Sequence, residues 1–274
     1  MKQQLNELVA KYNMMGRKAD ERFYHEFFRI AKESLELDGY LTELVFIPKE
    51  EHMNAKYQEY TKGFGGMFGQ AAYRVATGEL VVYERNINYG KIMDIRTVGL
   101  EATDSEVAMY NLMVLQTLLH EVEHAKQAKM KKEGTDFESK LIQICDTEVP
   151  ETTESYEYSI TERLAEIRSF EQVLDMYDEI GLFDQRIYDY FDAGYKECIM
   201  RGYHFEDAEG YFVSEDKGML IDPTTKYVKH KNGNIDEYNA MIQDLNDETK
   251  IYYGMSIPLE MYLDYKANYG SFKM

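Results

Sequence analysis

His120-Glu121-Val122-Glu123-His124 has the spacing H-E-x-x-H. Helical residues four apart lie on one face a turn apart, so two imidazoles at this spacing can reach one ion at roughly 2.0–2.1 Å. Glu121 stands one step round the helix, poorly placed to join them as a ligand but able to reach a water on the open side of the metal. Zinc lowers the pKa of such a water toward 7, and a neighbouring carboxylate can take the remaining proton as the water attacks a carbonyl. The expectation is one zinc ion, with His120 and His124 as ligands and Glu121 as the general base. The competing reading makes His120 a hydrogen-bonded core histidine and places His124 on a solvated end with Lys126, Lys129 and Lys131. Against it, Glu121 and Glu123 have Ala125 and Gln127 at i+4, so i,i+4 Glu-to-Lys pairing does not account for them.

A catalytic zinc needs a third protein ligand and keeps its fourth position open. No His follows at short spacing, but the stretch YSITERLAEIRSF, from Tyr158 to Phe170, places Glu162 38 positions after His124. On a helix, Glu162, Ala165, Glu166 and Ser169 share one face: a carboxylate ligand, a small residue permitting close helix approach, and a second carboxylate a turn on. Glu166 would orient His120 by accepting its remaining N–H. Two alternatives stay open. Ser159 and Glu162 can form a capping box, or Glu162 and Glu166 can exchange roles.

These residues require particular elements around them. Leu112 to Leu119 is apolar nearly all round, predicting a central buried helix that starts at Thr103 or Asp104 as cap and runs to about Lys131. A second long helix is expected from about Ser155 to Ile180, ending at Gly181, and a third from about Phe183 to Arg201. Upstream, the apolar spacing of the first 37 residues suits two helices broken near Gly16, and Leu41 to Ile47 suits a strand ended by Pro48. Alternation in 72–75 and 80–83 about Thr77-Gly78 predicts a hairpin. Gly63, Gly65, Gly66 and Gly69 miss both phosphate-loop patterns and read as a loop, able to act as a flap beside a sheet edge. From Tyr203 to Gly233 the punctuation predicts a small β segment with a turn at Asn232-Gly233, followed by short helices near 235–245 and 258–266. His25, His52 and His230 are expected at the surface or in loops.

HEVEH followed by T-E-R-L-A-E resembles the gluzincin zinc peptidases, whose downstream helix carries E-x-x-A-[DE] or a close variant. With a hairpin just before the motif helix and no large flanking domains, the chain is similar to the ImmA/IrrE-type intracellular peptidases and related minimal gluzincins, over about Ala71 to Phe170. The resemblance implies His120, His124 and Glu162 as zinc ligands, Glu121 as base and acid, and a sheet edge, the 80–84 or the 71–76 strand, on which an extended substrate lies. Such enzymes also place a Tyr, His or Arg opposite the base to stabilise the oxyanion; Tyr203 and His204 are the candidates here.

Composition narrows the classes. The 50 acidic and 31 basic residues give a formal charge of −19, which repels a phosphate backbone, so nucleic acid is not an expected partner. No run approaches the roughly 18 apolar residues of a membrane span. The start has no signal-peptide h-region, and Cys145 and Cys198 form neither a C-x-x-C pattern nor a disulfide framework, so a cytoplasmic location is expected. The expected fold is α+β and zincin-like, mainly helical with a small twisted sheet beside the motif helix. Residues 1–202 would form the catalytic domain with N-terminal helices, and 203–274 a small C-terminal β/α appendage or part of the same domain. The expected function is a zinc metallopeptidase acting on an intracellular peptide or protein. The rivals are a gluzincin-fold binding or regulatory protein without turnover, and a helical interaction protein without metal.

Overall fold

In a computed structural model of the chain, the described residues are 1–62, 69–134, 139, 142, 160–177, 179–180 and 184–201, with three short strands further on. Over these residues the protein is mainly helical with a small mixed sheet, an α+β arrangement.

Helices α1 (Lys2–Met14) and α2 (Glu21–Ser34) form where the apolar spacing predicts. Leu5, Leu8, Val9 and Tyr12 make one buried stripe; Phe23, Tyr24, Phe27, Ile30 and Ala31 make the other. Asp20 caps α2, its Oδ1 accepting from the backbone of Arg22 (3.1 Å) and Phe23 (3.2 Å). Strand β1 (Glu43–Ile47) follows, then two 3-10 turns at Lys49–Glu51 and Ala55–Tyr57 and the one-turn helix α3 (Gln58–Thr61). His52, expected at the surface or in a loop, is buried at 3 % exposure, with its ring 6.1 Å from that of Tyr83. Residues 63–68 of the glycine-rich stretch lie outside the described residues.

The hairpin is β2 (Ala71–Arg74) and β3 (Glu79–Tyr83). Gly78 turns it at φ +73°, a left-handed conformation, and a Cβ there would stand 2.7 Å from the carbonyl oxygen of Tyr40. The sheet order is β1-β3-β2, with β1 parallel to β3 (Val45 opposite Val81) and β2 antiparallel (Tyr73 opposite Leu80). The alternation of β3 sends Leu80 and Val82 into the main core, and Val81 and Tyr83 into a smaller cluster with Ile47 and Tyr57. Of the two strands offered by the resemblance as the sheet edge, 80–83 is therefore central and 71–74 is an edge.

Helix α4 (Glu84–Val98) leaves β3 directly and ends at Gly99, φ +74°. The sequence reading assigned nothing here. The inward stripe is Ile87, Lys91, Ile95, with a lysine at its centre, and Asn86, Asn88 and Gly90 around it suggest a loop rather than a helix.

The motif helix α5 runs Glu106–Glu133, buried nearly all round from Ala108 to Leu115. It starts slightly later than expected. The first turn is closed by Met109 N–H donating to the Ser105 carbonyl at 2.9 Å, which makes Ser105 the capping position in place of Thr103 or Asp104. Helix α6 spans Ile160–Tyr177 and α7 spans Gln185–Arg201; residues 155–159 of the expected second helix lie outside the described residues. Asp184 opens α7, accepting from Arg186 N at 3.1 Å, and the Arg186 guanidinium holds its carboxyl down at about 2.

The chain divides into two units, Met1–Lys129 with Arg168–Ala193 and Met130–Ile167 with Gly194–Met274; α5, α6 and α7 each continue unbroken through the division. The first unit holds the sheet and the main core, to which α6 contributes Val173, Met176 and Tyr177. In the second, β4 (Phe212–Val213), β5 (Met219–Ile221) and β6 (Val228–His230) form an antiparallel sheet in that order, inside the expected β segment. The turn at Asn232-Gly233 and the two expected C-terminal helices lie outside the described residues. Among the described residues no helix is long and apolar enough to cross a membrane.

Candidate metal centre

Unbroken α-helix through residues 120–124 puts His120 and His124 on one face of α5, both half-buried. Their rings stand 4.8 Å apart between centroids, and the two Nε2 atoms are 3.1 Å apart. Tetrahedral zinc with two nitrogens at roughly 2.0–2.1 Å keeps them about 3.3 Å from one another, so the pair already has the separation a shared ion needs. His124 Nδ1 lies 2.9 Å from Gln127 Oε1. An amide oxygen only accepts, so Nδ1 carries the proton and Nε2 presents its lone pair.

Glu162 occupies the first turn of α6, buried at 8 % exposure, with Oε2 out of contact with solvent. The ligating atoms of His120, His124 and Glu162 all lie within 4.8 Å of one another. Two imidazoles and one carboxylate suit zinc, and three protein ligands leave a position open. Ala165 and Ser169, on the same face, are fully buried, as close helix packing requires. Gln116 Nε2 donates to Ser169 Oγ at 3.0 Å, fixing α6 against α5 within the first unit. Glu166 is half-buried one turn after Glu162. Ser159, the cap in the alternative reading of Glu162, and the oxyanion candidates Tyr203 and His204 lie outside the described residues.

Glu121 is half-buried, and its Oε2 accepts the backbone N–H of Tyr73 at 2.7 Å. Tyr83 N–H donates to Gln70 O at 3.0 Å, so by antiparallel alternation Ala71 and Tyr73 turn their backbone groups away from β3. The carboxylate is thus held by an outward-facing donor of the edge strand. Tyr73 packs against the main core and Tyr83 belongs to the smaller cluster on the other face of the sheet. Burial raises the pKa of Tyr73, and it raises that of Tyr83, where the charge of Glu121 adds to the effect.

One turn before Glu121 on α5, Thr117 Oγ1 accepts from the buried Lys91 Nζ of α4 at 2.9 Å. Burial pulls the Lys91 ammonium down to about 8. Sequence reasoning missed Lys91, Tyr73 and Gln127. Only Gln127 left a usable signal, an amide three residues after a proposed ligand.

No family model, curated protein or solved structure matches this chain.

Proposed function

We propose that the chain is a zinc-dependent metallopeptidase of gluzincin-like design, acting inside a cell on a peptide or protein. The observation that carries the reading is the convergence of His120, His124 and Glu162 within 4.8 Å, with Glu121 one residue from the first ligand and tied to an edge strand. A zinc ion on these ligands would supply Lewis acidity toward a carbonyl and make water acidic enough to attack it near neutral pH. The residues of the chain do the rest. Glu121 takes the proton of the attacking water and passes it to the leaving amine. The Tyr73 N–H keeps the carboxylate aimed during both transfers. With the Tyr73 N–H held by Glu121, the other outward backbone groups of β2, the Ala71 N–H and the Ala71 and Tyr73 carbonyls, offer an extended chain sequence-tolerant pairing beside the site. His124, with Nδ1 committed to Gln127, is fixed in the tautomer that ligates.

The test is Glu121→Gln, assayed with a peptide library and by metal analysis of protein made without a metal-affinity tag. The expected result is retained zinc and lost hydrolysis, by a factor of about 10² or more. A variant matching the parent in a library that the parent does cleave would refute the role of Glu121, and a zinc-loaded parent that cleaves nothing would favour a binding protein.

A further inference from the structure

Glu123 is the one residue of the motif stretch whose charge the zinc chemistry leaves unexplained. It is buried at 2 % exposure. Its Oε1 accepts from Lys126 Nζ at 2.5 Å on its own helix and from Gln172 Nε2 at 3.3 Å on α6, while Oε2 lies 3.6 Å from Arg168 Nη1, also on α6. The Arg168 side chain is only 15 % exposed. Each of the two helices therefore carries both metal-site residues and one half of a buried ion pair: His120, His124 and Glu123 on α5, Glu162 and Arg168 on α6.

The spacing explains why such a pair belongs here. Metal bonds hold their lengths to within about 0.2 Å, whereas sliding one helix along another by a single residue moves every ligand by about 1.5 Å. Apolar packing, being non-directional, tolerates small slides. A buried carboxylate facing a guanidinium tolerates them less, because each displacement takes the poorly solvated Arg168 charge away from Glu123 Oε2. Buried pairs contribute little net stability compared with apolar side chains of similar volume, and their best-attested use is to fix register.

We propose that Glu123 and Arg168 form a positioning pair that sets the register of α6 on α5, and so places Glu162 opposite His120 and His124. The inference rests on the zinc reading above and adds a determinant of metal affinity that touches no metal.

The test is zinc affinity, measured by competition with a chromophoric chelator, alongside thermal stability of the zinc-free protein. Arg168→Met alone takes the charge on α6 away from Glu123 Oε2, leaving the carboxylate with Lys126 of its own helix and Gln172, and is expected to lower both. The decisive variant is the double change Glu123→Leu with Arg168→Met, which removes both charges together. Its zinc-free stability is expected to match or exceed the parent's, while zinc affinity falls roughly 10- to 100-fold, as for other outer-shell supports of a metal site. Lys126→Met, which removes a contact within α5 only, is expected to leave affinity within about two-fold of the parent. A double variant with parental zinc affinity would overturn the positioning role while leaving the zinc reading intact. A parent that binds no zinc would overturn both.

Discussion

The backbone N–H of Tyr73 donates to Glu121 Oε2 at 2.7 Å, joining an edge strand of the sheet to the carboxylate beside the first histidine. Because this N–H faces away from β3, it can be removed without breaking the ladder, and an edge position is where proline is tolerated. Tyr73→Ala and Tyr73→Pro both lose the phenol, and they differ in the N–H. The proline variant is expected to have kcat roughly 10- to 100-fold below that of the alanine variant, from loss of aim at the base, with zinc content equal in the two. Equal kcat values would show that the hydrogen bond does not orient Glu121.

Gln127 gives a second handle, acting through His124. Gln127→Leu removes the acceptor of the Nδ1 proton and should weaken zinc binding roughly 10- to 100-fold. Gln127→Glu restores an acceptor and should recover most of that loss. Chelator competition on the three proteins checks both statements, and an unchanged affinity in the leucine variant contradicts them.

Lys91 predicts a pH dependence of stability. Its folded-state value, about 8, lies below the ordinary 10.5. In that interval the unfolded chain binds more protons than the folded one, so stability rises with pH through the window; below about pH 8 the full cost of burial is present. Asp94 opposes the depression without cancelling it. Lys91→Met should therefore raise unfolding free energy at pH 7 by about 2 kcal/mol, the shift less one hydrogen bond to Thr117. The advantage should shrink as pH approaches 10. Urea titrations of chelator-treated parent and variant at pH 7 and 9.5 measure it, and an advantage independent of pH would contradict the account.

Much of this architecture was legible because apolar period and chain punctuation agree. Leu5, Leu8, Val9 and Tyr12 announce α1, Gly78 announces the hairpin turn, and the apolar run from Leu112 announces a central helix. Where a stripe is broken by a functional or costly residue, the signal fails. Helix α4 went unread because Lys91 sits where an apolar residue belongs. Thr103, Asp104 and Ser105 are all good caps by type, so composition alone does not single out Ser105 as the start of α5. At the site, helical spacing put His120 and His124 on one face, while Glu162 was one of two candidate carboxylates on the next helix, favoured as a ligand by the resemblance. The link from Tyr73 to Glu121 spans 48 positions and that from Glu123 to Gln172 spans 49, with no local pattern to betray either. Part of the charge of Glu123 was legible, since Lys126 stands three residues on and pairs with it at 2.5 Å, a spacing that i,i+4 pairing does not cover; the cross-helix partner Arg168 left no local signal.

The most direct measurement is a crystal structure of tag-free protein with anomalous data collected on both sides of the zinc absorption edge. A single peak is expected at roughly 2.0–2.1 Å from His120 Nε2 and His124 Nε2 and about 2.0–2.2 Å from a Glu162 oxygen. A zinc-supplemented crystal with no peak there, its two imidazoles turned to separate partners and Glu162 directed elsewhere, would contradict the account.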